Sequence, residues 1–181
     1  DNNLWMATED AGIAINNPQT SNFRHITSDS ASSISLSSNN VHALYVDDFG
    51  NVWSGNFLGG INKIDRNGKV LKSFVTNPFD TTSIENDFVF ELFPYKKNEI
   101  FVGTTNGVDL FNLKTEVFQR FMPSVFNGVF IYDIFNFENK FWFASYNSGL
   151  YSWNPSTNKI ETYSTQNSSI PGNSIISHLI D

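Results

Sequence analysis

The sequence predicts an all-β protein: a β-propeller, or a segment of one, with about four blades of four antiparallel strands. The first observation is a repeat with a period of roughly 40–50 residues, which is typical of propeller blades. The second is that short strand-like segments recur in each repeat, and no long apolar pattern with a helical period is present. The third is the aromatic content, with 18 Phe, 4 Trp and 6 Tyr in 181 residues, which suits the half-buried surfaces of sheets.

An aromatic residue marks one position in every repeat: Trp5, Trp53, Phe101 and Trp142. Repetition at a single position favours packing between blades over a role in stacking on sugars. A glycine follows each marker after six or seven residues, and an aliphatic residue comes directly after it; these glycines are Gly12, Gly60, Gly107 and Gly149. A glycine or asparagine also precedes each marker by three residues, at Asn2, Gly50, Asn98 and Asn139. Both residue types tolerate a positive φ, so a tight turn is predicted before each marked strand.

Each repeat divides into four predicted strands, taken here from the propeller axis outwards. The innermost strands are predicted in residues 39–48, 87–93, 128–135 and 173–181. The second strands, which carry the aromatic markers, are predicted in residues 3–7, 51–55, 99–103 and 140–144. The third strands begin at the repeated glycines, and the fourth are predicted in residues 23–27, 71–76, 118–122 and 160–164. Polar linkers that contain proline or serine separate the repeats, as expected for surface connections.

The repeats run roughly over residues 1–38, 39–86, 87–127 and 128–172. The chain therefore begins at a second strand, and residues 173–181 read as a first strand. If the array closes on itself, this segment is predicted to complete the first blade and to remove two free edges. The alternatives are that the chain is part of a larger propeller, or that copies pair to build one.

Charge and composition exclude several classes of function. The net charge is −7 and Lys and Arg do not cluster, whereas a duplex nucleic-acid binder carries a basic stripe. The chain has no cysteine, which excludes disulfides and cysteine-based metal sites. Its three histidines, His25, His42 and His178, lack the spacing of metal ligands. We therefore predict no metal and no cofactor, and the absence of a long apolar run predicts no direct insertion into a membrane.

Residues 35–65, SLSSNNVHALYVDDFGNVWSGNFLGGINKID, resemble the two-component regulator propeller repeat. The matching residues at the start of the pattern are Ser35, Leu36, Ser37, Ser38, Asn39 and Val41. Those in the middle and at the end are Asp47, Gly50, Asn51, Trp53, Gly55, Gly59, Gly60, Ile61 and Asp65. The pattern returns at Gly103, Thr104 and Gly107. The resemblance extends over all four repeats; it is closest in the second and only partial in the first.

This resemblance implies an extracytoplasmic, periplasmic sensor region of a hybrid two-component system, in which histidine kinase and DNA-binding parts lie outside this chain. Many such sensors respond to oligosaccharides. The resemblance thus implies a ligand-sensing propeller fragment without catalysis of its own, with an oligosaccharide as its ligand. It also implies self-association, or contact with further propeller blades of the parent chain.

The turns between the second and third strands differ between repeats, and function is usually carried by variable loops above a repeated scaffold. Aromatic side chains there could stack on sugar rings, and Asn and Asp could bond to neighbouring hydroxyls. The predicted ligand-binding residues are Asp10, Asn56, Phe57, Asn106, Tyr146 and Asn147.

No catalytic residue is predicted, because the chain has no nucleophile-elbow or phosphate-loop motif. Asp48, Gly50 and Trp53 share the spacing of the Asp-box turn of sialidase propellers, which is structural in those enzymes too. Two other functions stay open. A glycosidase or lyase would require two of Asp47, Glu91, Asp133 and Asp181 to converge near the axis. A protein-interaction or dimerisation scaffold would require a large apolar patch on one face.

Overall fold

The computed structural model describes residues 3–20, 22–29 and 35–180. Within these residues the chain forms strands β1–β15 and one short helix, α1, at Pro123–Phe126. The first sheet contains β1 (Leu4–Ala7), β2 (Ile13–Asn17) and β3 (Asn22–Ile26). The second contains β4 (Val41–Val46), β5 (Val52–Asn56), β6 (Gly60–Ile64) and β7 (Val70–Phe74). The third contains β8 (Val89–Lys96), β9 (Glu99–Thr104), β10 (Gly107–Asn112) and β11 (Val117–Arg120). The fourth contains β12 (Ile131–Phe137), β13 (Lys140–Ser145), β14 (Leu150–Asn154) and β15 (Lys159–Tyr163).

Within each sheet, every strand pairs antiparallel with the next one along the chain, so each sheet is a simple meander. The predicted all-β propeller fold is confirmed. The turns before the marked strands also have the predicted backbone: φ is 80° at Gly50, 62° at Asn98 and 60° at Asn139. Asn2, the fourth residue of this set, lies outside the described residues.

The hydrophobic core lies between neighbouring sheets. Trp53 and Phe101 have 0% of their surface exposed, and each packs against aromatic rings of the next sheet, as predicted. Trp53 contacts Phe111 at a ring-centroid distance of 5.2 Å, and Phe101 contacts Phe143 at 5.4 Å. Trp142 holds the same repeat position in the fourth sheet but is only half-buried, because it faces away from the third sheet.

Three inner strands carry a β-bulge at the same place, near their first residues. The register shifts between Val41 and Ala43, between Val89 and Glu91, and between Ile131 and Asp133. A bulge leaves one residue without a cross-strand partner and re-aims its side chain. The three bulged residues are His42, Phe90 and Tyr132.

We call one end of the sheets the upper rim. It carries the β1–β2, β5–β6, β9–β10 and β13–β14 turns, which we call the upper turns, and the linkers that lead from each outermost strand into the next inner strand. The opposite end, the lower rim, carries the remaining turns. Antiparallel pairing places these features at the same end in every sheet.

Residues 173–175 occupy the place where the next inner strand begins. The Gly149 N–H donates to the Asn173 carbonyl at 2.9 Å, as the Gly60 N–H donates to the Asp87 carbonyl at 2.9 Å before β8. The Ile175 N–H donates to the Ser145 carbonyl at 2.8 Å. No described strand beyond β2 pairs with β1, and Asp181 lies outside the described residues. Completion of the first blade by residues 173–181 therefore stays a prediction, as do the limits of the four repeats.

Candidate functional site

Seven aromatic side chains line the upper rim where the inner strands begin. They come from the bulges, from the residues just before the inner strands and from two upper turns. We call them the aromatic ribbon: His42, Phe57, Phe88, Phe90, Phe130, Tyr132 and Tyr146.

The rings of the ribbon are in continuous contact from the second sheet to the fourth. Phe90 lies at the centre, with its ring centroid 4.6 Å from that of His42, 4.7 Å from that of Phe130 and 4.8 Å from that of Tyr132. Phe90 is buried, and Tyr146 at the far end is 49% exposed. The centroids of Phe130 and Tyr146 are 5.4 Å apart. The ribbon thus has a buried centre and an exposed edge, which is the form of an aromatic contact surface.

Backbone hydrogen bonds hold the upper turns against the inner strands. The Phe57 N–H donates to the Asn40 carbonyl at 2.9 Å, just before β4. The Tyr146 N–H donates to the Phe130 carbonyl at 3.0 Å, just before β12. Each bond joins a turn to the linker of the same sheet. The positions of Phe57 and Tyr146 are therefore fixed by the scaffold rather than by the turns alone.

The structure brings two of the predicted site residues, Phe57 and Tyr146, into the ribbon. Asn56, by contrast, has no exposed surface. Its Nδ2 donates to the Ser38 carbonyl at 2.9 Å, and its Oδ1 accepts bonds from Ser54 Oγ at 2.9 Å and Asn62 Nδ2 at 3.0 Å. Every polar atom of the Asn56 side chain is used inside the protein, so we leave Asn56 out of the ligand surface proposed below.

The other three predicted residues also lie on the upper rim. Asn106 is half-buried and bridges two loops: its Nδ2 donates to Glu85 Oε1 at 3.1 Å, and its Oδ1 accepts from the Gly128 N–H at 3.0 Å. Asp10 and Asn147 are exposed in the first and fourth upper turns, and Asn147 directly follows Tyr146. Exposure and position leave Asn147 available to a ligand on the exposed edge of the ribbon.

Five members of the ribbon were not among the predicted residues: His42, Phe88, Phe90, Phe130 and Tyr132. One sequence signal could have found most of them, because an aromatic ring stands at the second position of three inner strands, in VHA, VFE and IYD. The strict alternation expected of a strand assigns these positions to a sheet face. The bulge interrupts that alternation and brings the three side chains into the same ribbon.

Two carboxylates follow the bulged residues, Glu91 after Phe90 and Asp133 after Tyr132, at equivalent positions on neighbouring inner strands. Burial, together with the negative charge of Asp133, raises the pKa of Glu91 from the usual 4.5 to about 7. Asp133 Oδ2 in turn lies 2.7 Å from His178 Nδ1. The inner strands therefore hold a pair of coupled carboxylates just below the ribbon.

Replacing Glu91 with glutamine should change how stability depends on pH. The folded chain binds the Glu91 proton more tightly than the unfolded chain, so this stabilisation is complete below pH 4.5 and is lost as the pH rises through about 7. The stabilisation that is lost between these two pH values is on the order of 3 kcal/mol. Urea unfolding between pH 4 and pH 8 should show wild-type stability falling relative to Glu91→Gln, with the variant the more stable of the two at pH 8.

The matched control is Glu138→Gln, which removes one carboxylate from an exposed lower turn. It should keep the wild-type pH dependence. A Glu91→Gln profile parallel to that of the wild type would show that burial does not hold the Glu91 proton.

Asp47, another of the candidate carboxylates, has a structural role. Asp47 Oδ1 accepts the Phe49 and Asn51 N–H groups at 2.9 and 2.8 Å, and its Oδ2 accepts Trp53 Nε1 at 2.9 Å. Burial works to raise the pKa of Asp47, but the hydrogen bonds from Asn51 and Trp53 outweigh it and lower that pKa. Asp47 thus closes the turn, as its place before Gly50 suggested. Residues 3–20, 22–29 and 35–180 contain no group of three or more His, Asp or Glu side chains arranged to hold a metal ion.

A comparison with known families matches residues 35–57 to the two component regulator propeller family. The resemblance predicted from the sequence is therefore confirmed, at its closest repeat. No curated protein sequence matches the chain.

Solved structures with the same fold include three bacterial proteins. The extracellular domain of the putative hybrid two component system BT3049 of B. thetaiotaomicron matches with a TM-score of 0.70 and 18% identity, over 88% of this chain and 21% of that one. The extracellular domain of the putative one component system BT4673 of the same organism matches with a TM-score of 0.71 and 19% identity, over 89% and 23%. PorZ, a surface component of the type-IX secretion system of Porphyromonas gingivalis, matches with a TM-score of 0.71 and 16% identity, over 98% and 28%. The chain spans about a quarter of the length of these proteins, and the identities establish a shared fold.

Proposed function

We propose that this chain, with a two component regulator propeller repeat at residues 35–57, is part of an extracytoplasmic sensor propeller. Its ligand is an oligosaccharide that binds on the aromatic ribbon and is not turned over. The observation that carries this proposal is the ribbon itself, a run of contacting rings from Phe57 to Tyr146 on one rim of the propeller.

The ribbon suits a flat, partly apolar ligand such as a sugar chain. Aromatic faces bury the C–H surface of a pyranose ring, and they lose little conformational entropy because the neighbouring rings already hold them in place. Tyr146 offers its hydroxyl, and Asn147 offers an amide, at the exposed edge of the ribbon. In a site of this kind, stacking supplies most of the contact, and a few hydrogen bonds supply the specificity.

We place the protein in the periplasm, as part of the sensor region of a hybrid two-component regulator. The support is the matched repeat and the extracellular origin of two structural relatives. No helix in the described ranges is long and apolar enough to cross a membrane. In this proposal, ligand binding changes how the blades pack, and the change passes to a kinase outside this chain.

The two end sheets offer surfaces for further blades or for a second copy. On the outer face of the fourth sheet, Trp142 stacks on Tyr163 at 5.5 Å and on Phe135 at 6.1 Å. On the first sheet, Leu4 and Phe23 are more than half exposed. Within the chain, the equivalent faces are covered by the next sheet, so we propose that further blades cover these two faces in the same way.

The test of the site compares two exposed aromatic residues. Tyr146→Ala should weaken oligosaccharide binding by about tenfold or more, because truncating an aromatic residue that anchors a ligand costs about 2 kcal/mol or more. Phe79→Ala removes a ring that is 97% exposed but lies outside the ribbon, and it should leave affinity unchanged. Isothermal titration of a panel of neutral, amine-bearing and acidic oligosaccharides measures the affinity of both variants. Equal affinities for the wild type and Tyr146→Ala would place the ligand elsewhere.

A glycosidase is the second candidate, and the coupling between Glu91 and Asp133 is the observation that favours it. A carboxyl with a raised pKa beside a second carboxylate is the arrangement of a general acid and its partner. We propose sensing over hydrolysis, because Asp133 is engaged by His178. Product analysis of the titrated samples separates the two functions. Cleavage that disappears in Glu91→Gln would make the protein an enzyme.

A further inference from the structure

Charge is divided between the two rims of the propeller. The upper turns and the linkers into the inner strands contain no Lys and no Arg. They contain six carboxylates: Glu9, Asp10, Asp29, Asp80, Glu85 and Asp87. All 11 Lys and Arg residues lie in strands or in the turns of the lower rim. The net charge of −7 is therefore concentrated on the rim that carries the aromatic ribbon.

The basic groups nearest this rim add little positive charge to it. Arg120, at the upper end of β11, forms ion pairs with both Glu85 and Asp109. The two carboxylates together outweigh its single charge. Burial lowers the pKa of His42 in the ribbon, although Glu9 partly opposes this, so at neutral pH the His42 ring is uncharged.

Carboxylates also lie close to the ribbon along its length. Asp87 directly precedes Phe88, and Asp133 directly follows Tyr132, one of the bulged rings. The negative charge of Glu9 acts on His42 at the other end. Aromatic faces are themselves negative and attract cations, most strongly where water is excluded. Rings and carboxylates therefore both favour a positively charged ligand.

We propose that the ligand of the aromatic ribbon is a cationic, amine-bearing oligosaccharide, built of amino sugars whose amino groups are free. This inference rests on the proposed function, and it adds the charge of the ligand to it. A protonated amine on each sugar would meet both a ring face and the negative field of the upper rim. Sulfated sugars and uronic acids would be repelled by the same field.

The experiment compares two ligands with the same backbone. Tetraglucosamine carries free amines, and its fully N-acetylated counterpart is neutral. Isothermal titration of the full chain at low salt should give at least tenfold tighter binding of the free-amine form. The preference should shrink strongly at about 1 M salt, where the screening length falls to roughly 3 Å.

Charge variants locate the effect on the upper rim. The double change Glu9→Gln and Asp10→Asn removes two exposed carboxylates from the first upper turn, and it should reduce the preference for the amine by at least threefold. The control Glu99→Gln and Glu138→Gln removes two carboxylates near the β8–β9 and β12–β13 turns of the lower rim, and it should leave the preference unchanged.

The outcomes separate this inference from the proposed function. Equal binding of both tetrasaccharides, insensitive to salt and lost in Tyr146→Ala, would overturn the cationic ligand and keep the sensor site. If the two double variants reduced the preference for the amine equally, the cationic ligand would also be overturned. The preference would then come from the net charge of the whole chain rather than from the upper rim. Failure of every oligosaccharide to bind would overturn both proposals.

Discussion

Replacing Trp53 with alanine is expected to lower the free energy of unfolding by about 3–5 kcal/mol. Trp53 is fully buried between the second and third sheets. Its ring meets Phe111 edge-on at 5.2 Å and Phe74 at 5.9 Å, and its Nε1 donates to Asp47 Oδ2 at 2.9 Å. The substitution leaves a cavity and also removes a hydrogen bond from a buried carboxylate. For a domain with ordinary stability, this is a large share of the total.

Trp142→Ala is the matched control, because Trp142 holds the same repeat position on the open face of the fourth sheet. Its ring stacks on Tyr163, and its Nε1 donates to the Phe137 carbonyl at 3.2 Å. The side chain is half-exposed, so we expect a loss of only about 1 kcal/mol. Urea unfolding followed by circular dichroism compares the two variants without relying on tryptophan fluorescence. Equal losses would show that another sheet covers the face of Trp142 in solution.

Most of the fold could be predicted because the repeat markers have direct physical causes. A positive φ at Asn98 and Asn139, and the glycines that open the third strands, fix where strands begin and end. The strand ends have weaker signals in the sequence. Residues 118–122 were predicted as a fourth strand, but β11 ends at Arg120 and a turn with Met122 at φ 45° leads into α1. Pro123 then occupies the first turn of α1, a position proline favours.

The candidate site could be predicted only in part, because local sequence does not show which side chains meet. Phe57 and Tyr146 were found as aromatic residues in variable turns. Asn56 lies beside Phe57 in the sequence, yet it ends β5, and its amide is used by Ser38, Ser54 and Asn62. The ribbon depends on three bulges in register across three sheets, and a bulge is a property of strand pairing rather than of one strand.

Replacing Gly60 with alanine is expected to lower the free energy of unfolding by about 2–5 kcal/mol. Gly60 opens β6 with φ 60°, and a Cβ atom there would lie 2.1 Å from the Phe74 carbonyl oxygen. Two costs add: the left-handed backbone penalty of about 1–2 kcal/mol and the forced separation of β6 from β7. A Cβ atom at Gly12 would lie 2.2 Å from the Ile26 carbonyl oxygen, and one at Gly149 would lie 2.1 Å from that of Tyr163. Alanine at either position should therefore destabilise the protein in the same way.

Gly128→Ala separates the two costs. Gly128 has φ 76°, and nothing lies within 4 Å of a Cβ atom built there, so only the backbone penalty of about 1–2 kcal/mol applies.

The Gly60 N–H also donates a hydrogen bond to the Asp87 carbonyl at 2.9 Å, next to Phe88 of the ribbon. A shift at Gly60 should therefore weaken oligosaccharide binding as well as stability, whereas Gly128→Ala should bind like the wild type. Equal unfolding midpoints for the two variants would show that β6 and β7 can part without cost, and that the repeated glycine serves the turn alone.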